Sequence, residues 1–467
     1  MKKRTLPKLS QEQFEKLPDE VRAYISALEE YLAWMEKKIN RNSRNTSLPP
    51  SSDLISPPKK ERKIKKGTKG GQPGHQGHNR PLKKPDRIIP HFPQMCHHCG
   101  SFFHGHEEQV GSPVIYQHEE LVEKPTEVIQ DEYYRCRCGN CQKPVLAEIK
   151  PEATECLGPK LKSLGVYLNG ECHLSLKKVS RLFQEGFQIN VSPATLVKTR
   201  MQACEGLQFA TKEIHIEVKA APFKNMDETT WKVSGNREYL WGISTDKATF
   251  FGILPTRGMI GAKSLLGDEI EGIVTTDRYG AYNFLPKQQH AFCWSHLERK
   301  FQSFFEAQEK QKVFGERGIA SINSLFHLWH VWSTGELSDK EYTEQMLTLR
   351  QRFGKLLNFG ISSRDPEIGR FSQDLKKNWE SLFLFSKYHI DPTNNAIERG
   401  LRPGVIWRKI CMGSRSDEGI IYVGRFLSVT ETCKKQSTSM LAALNKVFVC
   451  QSHGIVTPPI SVLSKIQ

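Results

Sequence analysis

Two aspartates lie where a predicted sheet could present them to metal ions. Residues 223–233 predict a strand with Asp227 near its middle, and residues 272–277 predict a buried strand that ends in Asp277. Mg²⁺ prefers carboxylate oxygens, and metal ions held by shared carboxylates can activate an attacking hydroxyl for phosphoryl transfer on DNA. An aspartate at a strand end is also common as a helix N-cap, so a structural role stays open.

A third carboxylate, Glu398, strengthens the metal interpretation. Residues 393–403 predict an N-capped helix in which Asn394 or Asn395, Glu398 and Arg402 fall on adjacent turns and could face one site. Because Mg²⁺ takes few ligands from protein, three acids suffice. We therefore expect a site for Mg²⁺ (or Mn²⁺) formed by Asp227, Asp277 and Glu398. Glu228 is expected on the opposite face of its strand and to be dispensable.

Cysteines in close pairs predict a second kind of metal site. Cys96 and Cys99 form one Cys-x-x-Cys pair, and Cys138 and Cys141 form another. Two thiolates at this spacing can both reach one tetrahedral zinc, and four protein ligands would make the zinc structural. Cys136 is a competing ligand, and a redox Cys-x-x-Cys is the alternative.

The elements between the acids predict an α/β domain. Strands are expected at 223–233, 239–244 and 249–254, followed by a helix around 261–266 and the strand that ends at Asp277. This is the ribonuclease H-like order. From about 296 to 385 the pattern is mostly helical and includes Trp329, Trp332 and Trp379, which predicts a helical insertion at about 302–385 before Glu398.

Helices with DNA-binding character are predicted upstream. Residues 160–168 and 176–183 favour two helices, Gly186 a turn, and Ser192-Pro193 the start of a third helix with Lys198 and Arg200. This is the outline of a helix-turn-helix, although short helical pairs are common in other settings.

The N-terminal region predicts a helix and then a basic linker. Residues 10–40 favour one helix with a heptad seam from Val21 to Ile39, expected to mediate self-association or to pack within its own domain. The linker that follows is rich in Pro, Gly and cations, and it either binds phosphates without sequence preference or only solubilises the chain. Its cations include Lys59, Lys60, Arg62, Lys63, Lys65 and Lys66.

The overall charge favours a nucleic-acid partner. The 467 residues carry a formal net charge of +16 with a pI near 9.2, which suits a polyanion such as double-stranded DNA. The first residues lead into no apolar stretch and no run approaches the ~20 residues of a membrane span. We expect a cytoplasmic, nucleoid-associated protein with no membrane partner.

Several longer motifs match one family in order along the chain. The chain resembles transposases of the insertion sequence 66 family, members of the DDE superfamily. The matching segments are Asn45–Asp53, Gly71–His78, the cysteines of 96–141, Asp227-Glu228-Thr229, Cys293-Trp294-Ser295-His296 with Arg299-Lys300-Phe301, Asn394–Pro403, Arg408-Lys409 and Gly413-Ser414.

The resemblance implies a DNA transposase with a multidomain architecture. Together with the residue patterns above, it predicts a coiled-coil helix at 1–41, a linker at 42–88, a zinc unit at 89–155, a helix-turn-helix at 156–215, a ribonuclease H-like catalytic domain at 216–430 and a C-terminal helix and tail at 431–467. It also implies that DNA contacts include His296, Arg299, Lys300, Asn395, Arg399, Arg402, Arg408 and Lys409. His296 has two alternatives, a structural histidine or a metal ligand with Cys293.

Some positions depart from the family pattern. In the family, glycine is usual at the position of Arg278, a basic residue is common at the position of Glu298, and aspartate is common at the position of Thr393. None of them alters the three acids. A zinc-containing DNA-binding protein with an inert catalytic domain, or a nuclease without strand transfer, remains the alternative.

Overall fold

The computed structural model describes residues 11–39, residues 82–149 with short gaps, and residues 155–455 except residue 308. Cys138, Cys141 and the cations of the basic linker lie outside the described residues. The chain divides into two compact units, Pro58–Gln130 and the combination of Met1–Pro57 with Asp131–Gln467.

The larger unit contains helices throughout and strands in two places. Its strands are β1 (Arg135–Arg137), β2 (Pro144–Leu146), β3 (Phe223–Val233), β4 (Asn236–Ser244), β5 (Thr249–Leu254), β6 (Ile273–Thr276) and β7 (His290–Phe292). Its helices are α1 (Gln11–Glu15), α2 (Asp19–Ile39), α3 (Pro159–Gly170), α4 (Leu176–Phe187), α5 (Pro193–Gly206), α6 (Gln208–Ala220), α7 (Met259–Leu266), α8 (Trp294–Phe305), α9 (Glu309–Ser333), α10 (Asp339–Ile361), α11 (Pro366–Lys377), α12 (Trp379–Tyr388), α13 (Asn395–Cys411), α14 (Asp417–Lys435) and α15 (Met440–Ser452).

A mixed sheet occupies the centre of this unit. Its described strands lie in the order β5-β4-β3-β6-β7. β3, β4 and β5 are antiparallel, whereas β6 and β7 run parallel to β3. The predicted three strands, helix and fourth strand are therefore confirmed, and β7 is an additional strand that the sequence pattern did not reveal.

Two apolar cores support the sheet and the helices after it. One core joins the sheet to flanking helices through residues such as Ala203 on α5, Trp231 on β3, Leu401 on α13 and Phe426 on α14. The other lies within α8 to α12, the stretch predicted to be helical, and is rich in aromatic rings such as Phe301, Phe314 and Phe371. Such rings contribute large buried areas and edge-to-face contacts.

The helices α3 to α5 form where three helices were predicted, with one correction. Thr195 N donates a 3.0 Å hydrogen bond to Ser192 Oγ, so Ser192 caps α5 as expected. Gly186 does not form the predicted turn, because α4 continues through it. The helix ends at Gln188, which has a φ of 58°, and Ile189 N bonds to Phe183 O at 3.0 Å. Ile189 also packs in the same apolar cluster as Phe183, which fixes this end of the helix.

The single helix predicted for residues 10–40 is wrong in one respect. The helix is interrupted between α1 and α2, around Leu17 and Pro18. Proline lacks an N–H and disfavours helical geometry at the residue before it. On α2 the seam residues Val21, Leu28 and Leu32 remain 40%, 45% and 42% exposed. None of the helices in the described part of the chain combines the length and apolar character needed to cross a bilayer.

Candidate active site

The parallel strands β3, β6 and β7 bring the first two acids together. The parallel register pairs Asn225 with Thr275, so the same offset extended along β3 and beyond β6 sets Asp227 beside Asp277. On the other side, Cys293 follows β7, and its N–H donates to Thr276 O at 2.9 Å. Asp277 and Cys293 therefore lie at the carboxyl ends of β6 and β7, beside the middle of the longer β3, where Asp227 stands.

The two aspartates repel one another at this edge. Removal from water, the charge of Glu228 and the charge of Asp277 raise the pKa of Asp227 well above its ordinary value. The pKa of Asp277 is also raised, chiefly by removal from water, against lowering contributions that include the Tyr279 amide. Each carboxylate accepts one backbone N–H on Oδ1 at 2.9 Å, from Glu228 for Asp227 and from Tyr279 for Asp277.

Helix α13 carries Glu398 to the same place because its first turn is attached to two strands. Asn394, fully buried just before α13, donates its side-chain N–H to Met226 O on β3 at 3.0 Å. Its backbone N–H lies 3.1 Å from the Cys293 sulfur. Asn394 therefore joins the helix to the sheet, and its side chain does not cap α13.

The close approach of α13 to the sheet depends on a glycine. Gly242 on β4 pairs directly with Asp227. A Cβ at Gly242 would lie 2.6 Å from Ile397 Cδ1 and 2.9 Å from Phe251 Cε1, so a larger residue here would force these side chains to shift. The charge of Glu398 contributes to the raised pKa of both aspartates, which indicates that the three acids share one electrostatic site.

Arg299 on α8 binds Glu398, and His296 of the same helix lies beside it. Arg299 Nη2 donates to Glu398 Oε2 at 3.3 Å, and His296 Nδ1 lies 3.7 Å from Glu398 Oε1. Arg299 Nη1 also lies 3.3 Å from His296 Nε2. Since arginine can only donate, this contact assigns the imidazole proton to Nδ1, which faces Glu398. Burial, followed by the charge of Arg299, lowers the pKa of His296.

The alternative of a metal ion on Cys293 and His296 can be weighed against this geometry. Ligand atoms of Cys293, His296 and Glu398 lie within 4.8 Å of one another. Burial raises the pKa of Cys293 to about 11, which disfavours the thiolate that would bind a metal. The Arg299 contact also places the imidazole proton on the nitrogen that faces Glu398. Both observations favour a structural histidine over a metal ligand, and the Nδ1 of His296 has no hydrogen-bond partner among the described residues.

Next to Asp227 in the sequence, Glu228 forms a polar cluster with Arg257 and Tyr282 that the sequence analysis did not predict. Alternation along β3 buries Glu228, whose side chain is 1% exposed. Its Oε1 accepts a 2.7 Å hydrogen bond from Arg257 Nε, and its Oε2 accepts a 2.6 Å hydrogen bond from Tyr282. Glu228 thus has two structural partners, and its dispensability for activity stays a prediction. A buried carboxylate without partners would be costly, so the pairing itself is physically required.

His290 supports Asp277 from the neighbouring strand. Its Nε2 lies 2.8 Å from Thr276 Oγ1, and that hydroxyl donates to Asp277 O at 2.6 Å. The hydroxyl must then accept a hydrogen bond from His290, which assigns the imidazole proton to Nε2. Burial lowers the pKa of His290 to about 4. His290 lies on the short β7 and gave no sequence pattern.

The residues predicted to contact DNA fall into two groups. Lys198, Arg399, Arg402 and Lys409 are exposed and free to meet a phosphate, whereas Asn395 is partly buried. Others already have partners within the protein. Arg200 lies over the Tyr422 ring, Lys300 forms a 2.6 Å ion pair with Glu367, and Arg408 donates to Thr230.

The first cysteine pair adopts a turn suited to metal binding. Cys96 N donates to Ser101 O at 2.8 Å, and Gly100 N donates to Cys96 O at 2.9 Å. Hydrogen bonds from Ser101, with a further one from Cys96, lower the pKa of Cys99. A lowered thiol pKa favours the thiolate form that zinc binds. Cys136 lies exposed on β1 in the other unit.

Comparison with known proteins gives the family. A family model described as Transposase IS66 family matches residues 155–421, which include all three acids, and a family of unknown function matches residues 2–81. Among curated proteins the chain is similar to three from Sinorhizobium fredii, each described only as uncharacterized. The protein y4hP is 24% identical, over 76% of this chain and 71% of the relative.

Two further relatives match over shorter stretches. The protein y4jO is 27% identical over 39% of this chain and 53% of its own length. The protein y4qI is 25% identical over 53% of this chain and 51% of its own length. These relatives agree with the family match and add no activity. Because the family model covers more than half of the sequence, the chain belongs to the IS66 family of transposases.

Proposed function

We propose that this protein is a DDE-type transposase that cleaves the ends of an insertion sequence and joins them to target DNA. The main support is that Asp227, Asp277 and Glu398 lie close enough at the sheet for the charge of Glu398 to raise the pKa of both aspartates. Phosphoryl transfer on DNA requires such clustered acids because they hold cations next to the scissile phosphate.

The topology supports a ribonuclease H-like core. Three antiparallel strands are followed by a helix and then by two strands parallel to the first, in the order β5-β4-β3-β6-β7. In this interpretation α8 to α12 are an insertion between β7 and α13, and α13 returns to the core with Glu398.

The donor set fits magnesium or manganese. Each aspartate uses Oδ1 for a backbone N–H, and Glu398 Oε1 is buried without a hydrogen-bond partner among the described residues. Hard oxygen donors whose charges repel one another are those that a divalent cation stabilises. When bound, the metal ions supply charge stabilisation at the phosphate and lower the pKa of the attacking water or 3′-hydroxyl.

The remaining residues prepare this site. Arg299 orients Glu398, Asn394 fixes the start of α13, and His290 acts through Thr276 on the Asp277 backbone. Preorganised contacts of this kind reduce the cost of reaching reactive geometry. The tyrosine and arginine around Glu228 keep β3 and the loop after β5 in fixed positions.

DNA binding is assigned to several regions outside the acids. We propose that α3 to α5 form a helix-turn-helix that presents Lys198, that the basic linker adds contacts with phosphates, and that Cys96, Cys99, Cys138 and Cys141 bind a structural zinc ion. Exposed Arg399, Arg402 and Lys409 along α13 extend the basic surface. Self-association through α2 would bring two element ends together.

The test uses duplexes that span the boundary of the element carrying the gene, incubated with Mg²⁺. Asp227→Asn, Asp277→Asn and Glu398→Gln should each abolish cleavage nearly as fully as the triple variant, because groups that act as a unit are non-additive. All three should still bind the duplex. Asp268→Asn, at an exposed position, is the matched control and should retain cleavage. Normal cleavage by Asp277→Asn would refute the assignment.

Joining of pre-cleaved ends to a plasmid separates a transposase from a nuclease. A protein that cleaves the ends but never joins them would support the nuclease. A protein that binds the ends without cleaving them in Mg²⁺ or Mn²⁺ would support the inert DNA-binding alternative.

A further inference from the structure

The surroundings of Arg257 differ from those expected for an arginine whose only role is a structural ion pair. It lies in the loop between β5 and α7, and its side chain is 46% exposed although its partner Glu228 is 1% exposed. The pair uses only Nε of the guanidinium. Among the described residues, no hydrogen bond or ion pair involves its two terminal nitrogens.

The guanidinium is held in one orientation. The Arg257 Cζ lies 4.2 Å from the centre of the Tyr279 ring, which covers one face of the group. The other oxygen of Glu228 is fixed by Tyr282 at 2.6 Å, so the carboxylate that anchors Arg257 cannot turn away. Tyr279 and Tyr282 both follow Asp277 in the sequence, which ties this cluster to the second acid.

The loop that carries Arg257 is also rigid. Trp241 Nε1 donates to Thr256 O at 3.0 Å, and Gly258 N donates to Thr256 Oγ1 at 3.0 Å. A Cβ at Gly261 would lie 2.8 Å from Thr256 O, so the first turn of α7 packs directly on the loop. The position of Arg257 is therefore set before any ligand arrives.

The charge of Arg257 acts at Asp277. It opposes the rise in the pKa of Asp277, while Asp277 in turn contributes to the raised pKa of Arg257. The described ion pairs of Arg257 do not include Asp277, so the two groups are neighbours without direct contact. A phosphate that approaches three carboxylates needs positive charge beyond that of the metal ions, and two parallel N–H groups match phosphate oxygens.

We propose that Arg257 binds a DNA phosphate at the active site, with Glu228 and Tyr279 as the residues that position it. The two terminal nitrogens donate to the non-bridging oxygens of one phosphate at the scissile step, and Nε stays on Glu228. This rests on the proposed function for the location of the reaction. The binding of the phosphate itself does not depend on catalysis.

The experiment measures binding of the full-length protein in EDTA, so that neither metal ions nor turnover contribute. The probes are element-end duplexes in which each phosphate around the scissile step is replaced, one at a time, by an uncharged methylphosphonate. For the wild type, one replacement should weaken binding about tenfold, as expected for a charged hydrogen-bonded pair. In Arg257→Ala that one penalty should disappear, whereas the penalties at other phosphates should stay.

Two further variants make the result decisive. Arg237→Ala removes the same charge at an exposed position at the start of β4 and should keep the full wild-type profile. Arg257→Lys retains the charge without the pair of terminal N–H groups, so the loss of binding at the one methylphosphonate should become smaller than in the wild type. This variant replaces Arg257→Ala in the test if Arg257→Ala does not fold. An unchanged profile in a folded Arg257 variant would overturn the proposal and leave a structural ion pair. Failure of the proposed function would be visible separately, as absence of cleavage by the wild type in Mg²⁺.

Discussion

Arg299 donates a 3.3 Å hydrogen bond to Glu398, although the two residues lie on helices separated in the sequence by α9 to α12. The contact joins the helix that follows β7 to the helix that returns to the sheet. The third acid is therefore positioned by the start of the insertion as well as by the core.

Replacing Arg299 by glutamine should reduce cleavage of element ends about 10- to 100-fold, the usual range for residues that orient a metal ligand. The loss should shrink at high Mg²⁺ concentration, because a less ordered Glu398 binds the metal more weakly. Arg317→Gln on α9 removes the same charge at an exposed site and should have little effect. The measurement is the cleavage rate against Mg²⁺ concentration, and equal curves for the two variants would contradict the prediction.

His290 should make the protein less stable in mild acid. Its folded pKa is about 4, whereas an unfolded histidine titrates near ~6.5. Below the unfolded pKa only the unfolded chain takes up this proton, so the free energy of unfolding falls as pH drops from about 6.5 towards about 4. The contribution is at most about 3 kcal/mol.

The matched variant is His290→Gln, which can still donate an N–H to Thr276 but does not titrate. Urea unfolding at neutral pH and at pH values down to about 5 should show a smaller loss of stability for this variant than for the wild type. Parallel losses in the two proteins would assign the acid sensitivity to other groups.

The four cysteines of the two close pairs should bind one zinc ion per chain. Metal analysis of the full-length protein should find zinc that is lost in Cys99→Ser and in Cys138→Ser, because a structural site uses all four ligands. Cys172→Ser removes an exposed cysteine elsewhere and should keep the metal. Zinc retained in Cys138→Ser but lost in a Cys136→Ser, Cys138→Ser double variant would identify Cys136 as the fourth ligand.

Helix α2 should mediate self-association. Its seam is exposed in the single chain, and lysines in place of Leu28 and Leu32 should lower the mass in sedimentation, since charges in a coiled-coil seam oppose pairing. Lysines at Ala23 and Ser26, off the seam, are the matched control and should leave the mass unchanged. Equal masses for the two double variants would contradict self-association through the seam of α2.

The sequence revealed the elements whose patterns are local. β3, β4 and β5 alternate or are separated by short turns, and the acids lie in long motifs, so both were predicted. β7 was missed because a three-residue strand has too few positions for a pattern. Arg257 was missed for another reason: a loop arginine gains its role only from Glu228 and Tyr279, which the fold brings near it.

The errors also have local causes. Pro18 interrupts the single helix predicted for residues 10–40, and the heptad seam begins only after it, at Val21. Gly186 has the residue type of a turn, yet the helix ends only at Gln188, where Ile189 N bonds to Phe183 O and Ile189 joins the apolar cluster that contains Phe183. Arg278 departs from the family pattern and forms a 2.5 Å ion pair with Asp374 on α11, a contact between core and insertion that spacing could not predict.

The position of the helical insertion has a consequence for the newly made chain. Synthesis runs from the N-terminus, and Asp227 and Asp277 leave the ribosome before α8 to α12, while Glu398 follows them. A nascent chain therefore carries two of the three acids without the helix that completes the proposed site. The stretch α8 to α12 thus delays completion of the proposed site during translation, and the proposed cleavage of DNA has to wait until synthesis has passed Glu398.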